Sequence, residues 1–300
     1  MQDIGQILLA GAGAIGMLHA VPLFDYAGVS FRLVADAARR ARYERDGLFF
    51  NGRRMDFVFA GSGDPFPADL VLVATKFPGY GDALEEIAPF VREKTILLPL
   101  LNGVSAADLA AERFPQAHVL SGFFLGHASR RQGNCVFHDG VGKTCIGERG
   151  DAGPTDALRA VAELFRRAKI HAETPRDMTA AMWKKFILNV GVNQASAYFR
   201  ADYGTLRSSP EKLDFTEKLM LEALAVARAE KIPVGREAVD DALKIIVSMP
   251  PDAKTSMLQD VESNRQTEVA LFAGEIRKRA ARYGIPTPAN DEIFARFGGD

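Results

Sequence analysis

Ile7-Leu8-Leu9-Ala10-Gly11-Ala12-Gly13-Ala14-Ile15-Gly16 is the stretch that decides how the N-terminal half of this chain is read. Four apolar residues without alternation describe a strand covered on both faces. The glycines that follow have the spacing G-x-G-x-x-G. Alone that pattern is weak, but here it leaves a strand and opens a helix, predicted over residues 14–26. In that setting the first glycine permits a tight turn, the second lets backbone approach a pyrophosphate, and the third lets helix and strand pack closely. The helix start adds free N–H groups and the positive end of its dipole. Gly11, Ala12, Gly13, Ala14, Ile15 and Gly16 are therefore the expected phosphate cradle of a dinucleotide. The bland alternative is a glycine-rich turn in an ordinary α/β fold.

Outward from this stretch, short apolar runs alternate with helical spacing. Strands are expected at 30–35, 69–74 and 95–98, and helices at 37–45, 80–91 and 106–114. Such alternation means a parallel sheet with helices on both faces. Further strands are expected at 119–122, 135–138 and 143–146, with Asp139-Gly140 turning the last two into a hairpin. Beyond about residue 174 the pattern becomes helical, over 177–199, 210–231, 234–248 and 252–283, punctuated by Pro233, Pro250 and Pro251. The expected fold class is thus α/β, with a dinucleotide-binding parallel-sheet domain over 1–175 and an all-helical domain over 176–300.

The second strand ends at Asp36. An acid there accepts hydrogen bonds from the adenosine ribose hydroxyls, which favours NAD(H) and repels a 2′-phosphate. Arg39 and Arg40 follow, and a guanidinium such as that of Arg40 holds a 2′-phosphate. Asp36 fits an N-cap for the next helix equally well. These residues leave cofactor preference open. Lys76 and Asn102-Gly103 each follow an apolar strand, at the sheet edge where ligands of open parallel sheets sit. On position alone, ordinary loop polarity accounts for them better.

In the helical half, Lys185, Asn189 and Asn193 are spaced i, i+4, i+8 on a largely apolar segment. Each step of four drifts by only about 40°, so the three share one helix face. Spacing leaves two readings, a solvent-facing side or a lined cavity. The chemistry favours the cavity, because asparagine is a mediocre helix former and carbonyl reduction needs an acid beside the developing alkoxide. Ser256 and Glu268 lie farther on, about 18 Å and about 120° apart on one unbroken helix. Either the helix starts or breaks between them, or they contact different ends of the substrate–cofactor pair; periodicity does not decide this.

Composition excludes several classes. Net charge is −1, from 37 basic and 38 acidic residues, so no basic excess exists to hold nucleic acid. Cys135 and Cys145 read as reduced thiols, with a chance pairing across the expected hairpin as the alternative. The N-terminus lacks the basic start of a signal peptide, and no apolar run is long enough for a membrane span. A cytoplasmic protein without a membrane partner is expected. His19, His118, His127, His138 and His171 have no metal-ligand spacing, and no metal is expected.

Taken in order, these motifs resemble the ketopantoate reductase (2-dehydropantoate 2-reductase) family over essentially the whole chain. The set comprises Gly11 to Gly16, Lys76, Asn102-Gly103, Trp183-Lys184-Lys185 with Asn189 and Asn193, Ser256-Met257-Leu258-Gln259-Asp260, and Thr267-Glu268. The resemblance implies a Rossmann-type domain followed by a helical domain like that of 6-phosphogluconate dehydrogenase. It implies Lys185 as proton donor to the C2 oxygen of a small 2-keto acid, with Glu268 near the nicotinamide ribose and the substrate. Asn189 and Asn193 match substrate-binding asparagines, and Ser256 the serine that holds the carboxylate. Asn102 matches the cofactor–substrate junction and Lys76 a cofactor-side lysine. The family implies NADP(H) and a homodimer. Two departures stand out: Asp36 replaces an arginine for the 2′-phosphate, and Tyr203 replaces a substrate-contacting asparagine of some members. The leading expectation is reduction of ketopantoate to pantoate, for pantothenate and coenzyme A synthesis. The alternatives are a D-2-hydroxyacid dehydrogenase of the same fold and a dinucleotide sensor without turnover.

Overall fold

The computed structural model describes residues 3–61, 63, 66–126, 129–150 and 153–298, with Arg130 by its backbone alone. His127 lies outside them. The chain divides into two compact units, Met1–Met178 and Thr179–Asp300.

The first unit opens with β1 (Ile7–Ala10), α1 (Ala14–Ala27), β2 (Phe31–Val34) and α2 (Ala37–Asp46). Three short strands follow, β3 (Leu48–Phe50), β4 (Arg53–Met55) and β5 (Val58–Phe59). Then come β6 (Leu70–Val73), α3 (Tyr80–Ile87), β7 (Ile96–Pro99), α4 (Ala106–Arg113) and β8 (His118–Gly126). The unit closes with β9 (Arg130–Gln132), β10 (Cys135–Phe137), β11 (Gly142–Glu148), α5 (Asp156–Arg167) and β12 (Ala172–Glu173). The main sheet has the order β12-β11-β8-β7-β6-β1-β2-β5. It is parallel throughout except where β11 runs against β8.

Both faces of this sheet are buried, which is why its strands carry unbroken apolar runs. Ile7, Leu9, Leu70 and Leu72 join one core with α1 and α5. Their neighbours Leu8, Ala10, Val71 and Val73 join a second core with α3 and α4. The strand order reverses at β1, between β2 and β6, so the glycine turn leaves the sheet at its topological switch point.

The expected hairpin does not form. β10 pairs with β3 and β9 in a separate four-stranded sheet, while β11 pairs with β8 from Gly142↔Gly126 to Glu148↔Leu120. That seven-residue ladder satisfies far more backbone than the three residues of β10 offer, so Asp139-Gly140 links two sheets instead of joining one pair. Cys135 and Cys145 consequently sit in different sheets, and both are free thiols. The small strands at 48–59 and 130–132, helix α5 and strand β12 fall where no element was expected.

His19, on the first helix, is fully buried. Its Nδ1 lies 2.8 Å from Ile15 O and its Nε2 2.9 Å from Thr144 Oγ1 on β11. A carbonyl only accepts, so Nδ1 carries the proton and Nε2 accepts from the threonine. Burial pushes the imidazole pKa down to about 4 from 6.5, opposed by the Ile15 carbonyl. The unfolded chain therefore binds a proton that the native ring refuses. Stability from this site is full above pH 6.5 and falls as pH drops towards about 4. Thermal melts at pH 7 and pH 5 are expected to differ less for His19→Gln than for the unchanged chain; an equal difference would refute the assignment.

The second unit is helical. It begins with α6 (Met178–Leu188), which passes through a π turn at Asn189–Asn193 into α7 (Gln194–Phe199). Next come α8 (Tyr203–Ser208), α9 (Pro210–Ala229) and α10 (Glu237–Ser248). After them, α11 (Ser256–Glu262) precedes a second π turn at Ala270–Gly274, which leads into α12 (Glu275–Ala281) and then α13 (Pro288–Phe297). The helix expected over 252–283 is thus broken: Asn264 takes φ 48°, and Asp260 O accepts from Arg265 N at 2.8 Å. Helices α8 and α13 fall outside the expected segments. Among the described residues no helix is long and apolar enough to cross a membrane.

Candidate active site

In the first unit, the carboxyl edge of the main sheet gathers the predicted nucleotide-side residues. Gly11 turns the chain with φ 97°, and a Cβ there would meet Ala74 O at 2.7 Å. Gly16 has α1 pressed against the turn, so that a Cβ would lie 1.8 Å from Gly11 O. Gly13 differs: a Cβ there would find only Ala74 O, at 3.9 Å. The first and third glycines are demanded by the protein itself, whereas the second leaves open space at the helix start. That geometry fits a dinucleotide pyrophosphate held by the α1 N-terminus. Ala12 is buried, and Ala14 and Ile15 begin the helix half-buried. Lys76 is exposed three residues beyond the end of β6, and Asn102 is half-buried after β7, followed by Gly103 at φ 91°.

Asp36 caps α2, accepting from Arg39 N at 2.7 Å, and its other oxygen lies 3.2 Å from Arg39 Nε. Arg40 turns to Glu44 at 2.8 Å and stacks over Phe59 at 5.8 Å. Both arginines beside Asp36 are thus engaged with carboxylates. Sequence reasoning missed Glu86 of α3. Burial holds its carboxyl above the usual range, and the negative charge of Asp36 adds to this. The Glu86 carboxyl thus feels the charge of Asp36, and nothing in the local spacing at 80–91 announces it.

In the second unit, Asn189 and Asn193 are 8% and 9% exposed, which removes the solvent-facing reading for them. Lys185 is half-buried, while Lys184 is exposed and acts on Glu237 and Asp241 of α10. Trp183, Phe186 and Ile187 form the apolar face of α6; the Phe186 ring lies 6.3 Å from Phe272 of the second π turn. The first π turn straightens the stripe. An α step of four overshoots by about 40°, and a wider i→i+5 turn falls short by about 30°. Gly191 allows that turn to press on α9, where a Cβ would meet the Met220 side chain at 2.4 Å.

Asn193 and Ser256 are brought together, with Asn193 Nδ2 3.4 Å from Ser256 Oγ. Thr255 caps α11 and leaves the Ser256 side chain exposed. Glu268 is 8% exposed and precedes the second π turn, which its carbonyl helps to start by accepting from Leu271 N and Phe272 N. The break at 263–267 separates Ser256 from Glu268. Tyr203 starts α8, its N–H bound to Ala253 O at 3.2 Å on the approach to Ser256.

Residues 7–151 match the family model for ketopantoate reductase PanE/ApbA, and residues 177–298 match the model for its C-terminal domain. A relative in Halobacterium salinarum, 2-dehydropantoate 2-reductase, is 30% identical over 222 residues, covering 74% of this chain and 72% of the relative. The Vibrio cholerae protein of the same name is 27% identical, covering 97% of this chain and 96% of its own. The structure of D-mandelate dehydrogenase with NADH superposes with a TM-score of 0.87 over 98% of this chain and 97% of that one. At 21% identity that likeness speaks for the fold alone. Both halves of the chain, and its relatives across nearly its whole length, thus agree on one assignment: it is a nicotinamide-dependent oxidoreductase that belongs to the ketopantoate reductase family.

Proposed function

We propose that the chain is a 2-dehydropantoate 2-reductase, reducing the C2 keto group of ketopantoate to give pantoate for pantothenate and coenzyme A synthesis. The observation that carries this reading is the grouping, on one helical unit, of half-buried Lys185, buried Asn189 and Asn193, and Ser256 at 3.4 Å from Asn193. A reduced nicotinamide, when bound, supplies the hydride. The Lys185 ammonium donates a proton to the C2 oxygen as negative charge develops there. Asn189 and Asn193 orient the substrate through their amides, and the Ser256 hydroxyl donates to its carboxylate. Glu268 accepts from the ribose and substrate hydroxyls. Gly11 to Gly16 hold the pyrophosphate, while Lys76 and Asn102 serve the cofactor side. The test is a matrix of NADPH and NADH against a panel of 2-keto acids. The highest kcat/KM is expected with ketopantoate; higher values with branched or aromatic 2-keto acids would overturn the substrate.

A second reading, a D-2-hydroxyacid dehydrogenase, is favoured by Asp36, which stands where the family has an arginine. A carboxylate at the end of the second strand repels a 2′-phosphate and favours NADH. Tyr203 adds an aromatic wall where some members have an asparagine. Asp36→Ala is expected to raise the kcat/KM ratio of NADPH over NADH about tenfold, and to cost about 1 kcal/mol through the lost cap. An unchanged ratio would take Asp36 out of cofactor choice. A homodimer is part of the proposal, checked by light scattering against the 32.6 kDa of one chain.

A further inference from the structure

Two π turns interrupt the helical unit, each beside candidate site residues: Asn189–Asn193 contains both asparagines, and Ala270–Gly274 starts two residues after Glu268. Single π turns inside α-helices release backbone groups from the regular ladder, and buried groups so released need other partners. One side chain serves both turns. Gln194 is fully buried; its Nε2 donates to Val190 O of the first turn at 2.8 Å, and its Oε1 accepts from Ala273 N of the second at 2.9 Å. In a regular helix the Ala273 amide would bond Val269 O. Here that carbonyl is taken by Gly274 N at 3.0 Å and Phe272 N at 3.2 Å.

The orientation of this amide is dictated from behind. Glu222 of α9 offers only acceptors, and its Oε2 takes Asn290 Nδ2 at 2.8 Å. That turns Asn290 Oδ1 towards Gln194, where it accepts from Nε2 at 3.0 Å. Asn290 is itself fully buried, and Glu222 also receives the backbone N–H groups of Ala289 and Asn290 that open α13. The result is a satisfied chain from Glu222 through Asn290 and Gln194 to both π turns. Only a primary amide of this length presents a donor to Val190 and Asn290 together with an acceptor to Ala273.

We propose that Gln194 is a positioning residue of the reductase: it clips the turn carrying Asn189 and Asn193 to the turn that follows Glu268, and so sets the separation of those groups. This rests on the site assigned under the proposed function. Gln194 touches neither substrate nor cofactor and acts through Glu268 and the asparagines.

The experiment is a double-mutant cycle on the full chain, with Gln194→Met and Glu268→Gln singly and together, measured well below the melting temperature of each variant. Gln194→Met alone is expected to lower kcat/KM for the 2-keto acid at least about tenfold, with the dissociation constant for reduced dinucleotide within about twofold of the unchanged chain. In the Glu268→Gln background the same change is expected to cost less than about threefold. A residue that merely supports the fold lowers activity by the same factor in both backgrounds, and that result would overturn the clip. So would full activity of Gln194→Met beside a clear loss in Glu268→Gln. If Glu268→Gln and Asn193→Ala both keep full activity, the site assignment itself falls, and the clip with it. Should Gln194→Met fail to fold, Gln194→Glu enters the same cycle with the same expected and overturning outcomes, because it keeps the acceptor to Ala273 N–H but sets a carboxyl oxygen against the Val190 and Asn290 oxygens that the amide donor bound.

Discussion

Lys185→Ala is expected to lower kcat about a thousandfold while binding of reduced dinucleotide stays near that of the unchanged chain. A positioned proton donor contributes roughly 10²–10⁴ to rate, and a thousandfold loss corresponds to about 4 kcal/mol in the barrier. The selectivity follows from where the groups sit. The glycine turn belongs to the first unit, and Lys185 lies on α6 of the second. The half-buried side chain is not part of the α6 core, which Trp183, Phe186 and Ile187 make, so the loss should not track stability. Lys184→Ala is the internal control. Its side chain is exposed and acts on Glu237 and Asp241, and turnover should hold within about twofold, as for ordinary surface changes. Lys185→Arg keeps the charge but carries a guanidinium that does not give up its proton in this range, so its kcat should remain at least about tenfold low. Stopped-flow or steady-state loss of reduced-nicotinamide absorbance reads all three. Near-normal turnover of Lys185→Ala would remove the lysine as the acid.

The parts of the molecule differ in how plainly their residues announce them. β1, β6 and β7 are legible because burial on both faces demands continuous apolar runs, and Leu70-Val71-Leu72-Val73 has no other economical reading. The small sheet is not. In β4 only Met55 of Arg53-Arg54-Met55 is buried, and three residues carry no usable period. The hairpin expectation failed for a related reason: Asp139-Gly140 specifies a chain reversal, but the choice of partner is made by β8, distant in sequence and long enough to pair all seven residues of β11.

In the helical unit the existence of helices was legible and their irregularities were not. Lys185, Asn189 and Asn193 keep the same spacing whether the turn beneath them is α or π. The hint is compositional: Val190-Gly191-Val192 is a run of poor helix formers inside a helix. Gln194 carried no signal at all, since beside Asn193 it reads as one more polar helix residue. Its burial and its three partners depend on Asn290 and Ala273, far along the chain. The break between Ser256 and Glu268 was required if both act on one small acid, and Asp260 with Arg265 supplies it. Asp36 was left open between cap and ribose ligand. The structure fills the cap, whose oxygen to Arg39 N leaves the other oxygen beside a guanidinium.

Gly13→Ala and Gly16→Ala should damage the protein in opposite ways. At Gly16 the new methyl would lie 1.8 Å from the backbone carbonyl of Gly11, and neither atom belongs to a side chain that can swing aside. Helix α1 must then move off the β1 turn, and its buried Met17, Ala20 and Leu23 belong to the core that it shares with the sheet. Forced overpacking costs about 1–3 kcal/mol or more, so a melting temperature lower by roughly 5–10 °C is expected, with dinucleotide affinity falling alongside. At Gly13 the methyl meets only Ala74 O at 3.9 Å, and the residue already has an ordinary extended conformation at φ −81°. The fold should therefore stand, with a melting temperature within about 2 °C. What the methyl occupies is the approach that a pyrophosphate needs to reach the α1 N–H groups, so the dissociation constant for reduced dinucleotide should rise at least about tenfold. Calorimetric melts and fluorescence titrations on the two variants separate the effects. A Gly13→Ala protein that binds dinucleotide as tightly as the unchanged chain would mean that the phosphates lie elsewhere, and the cradle assigned to Gly11 through Gly16 would be wrong.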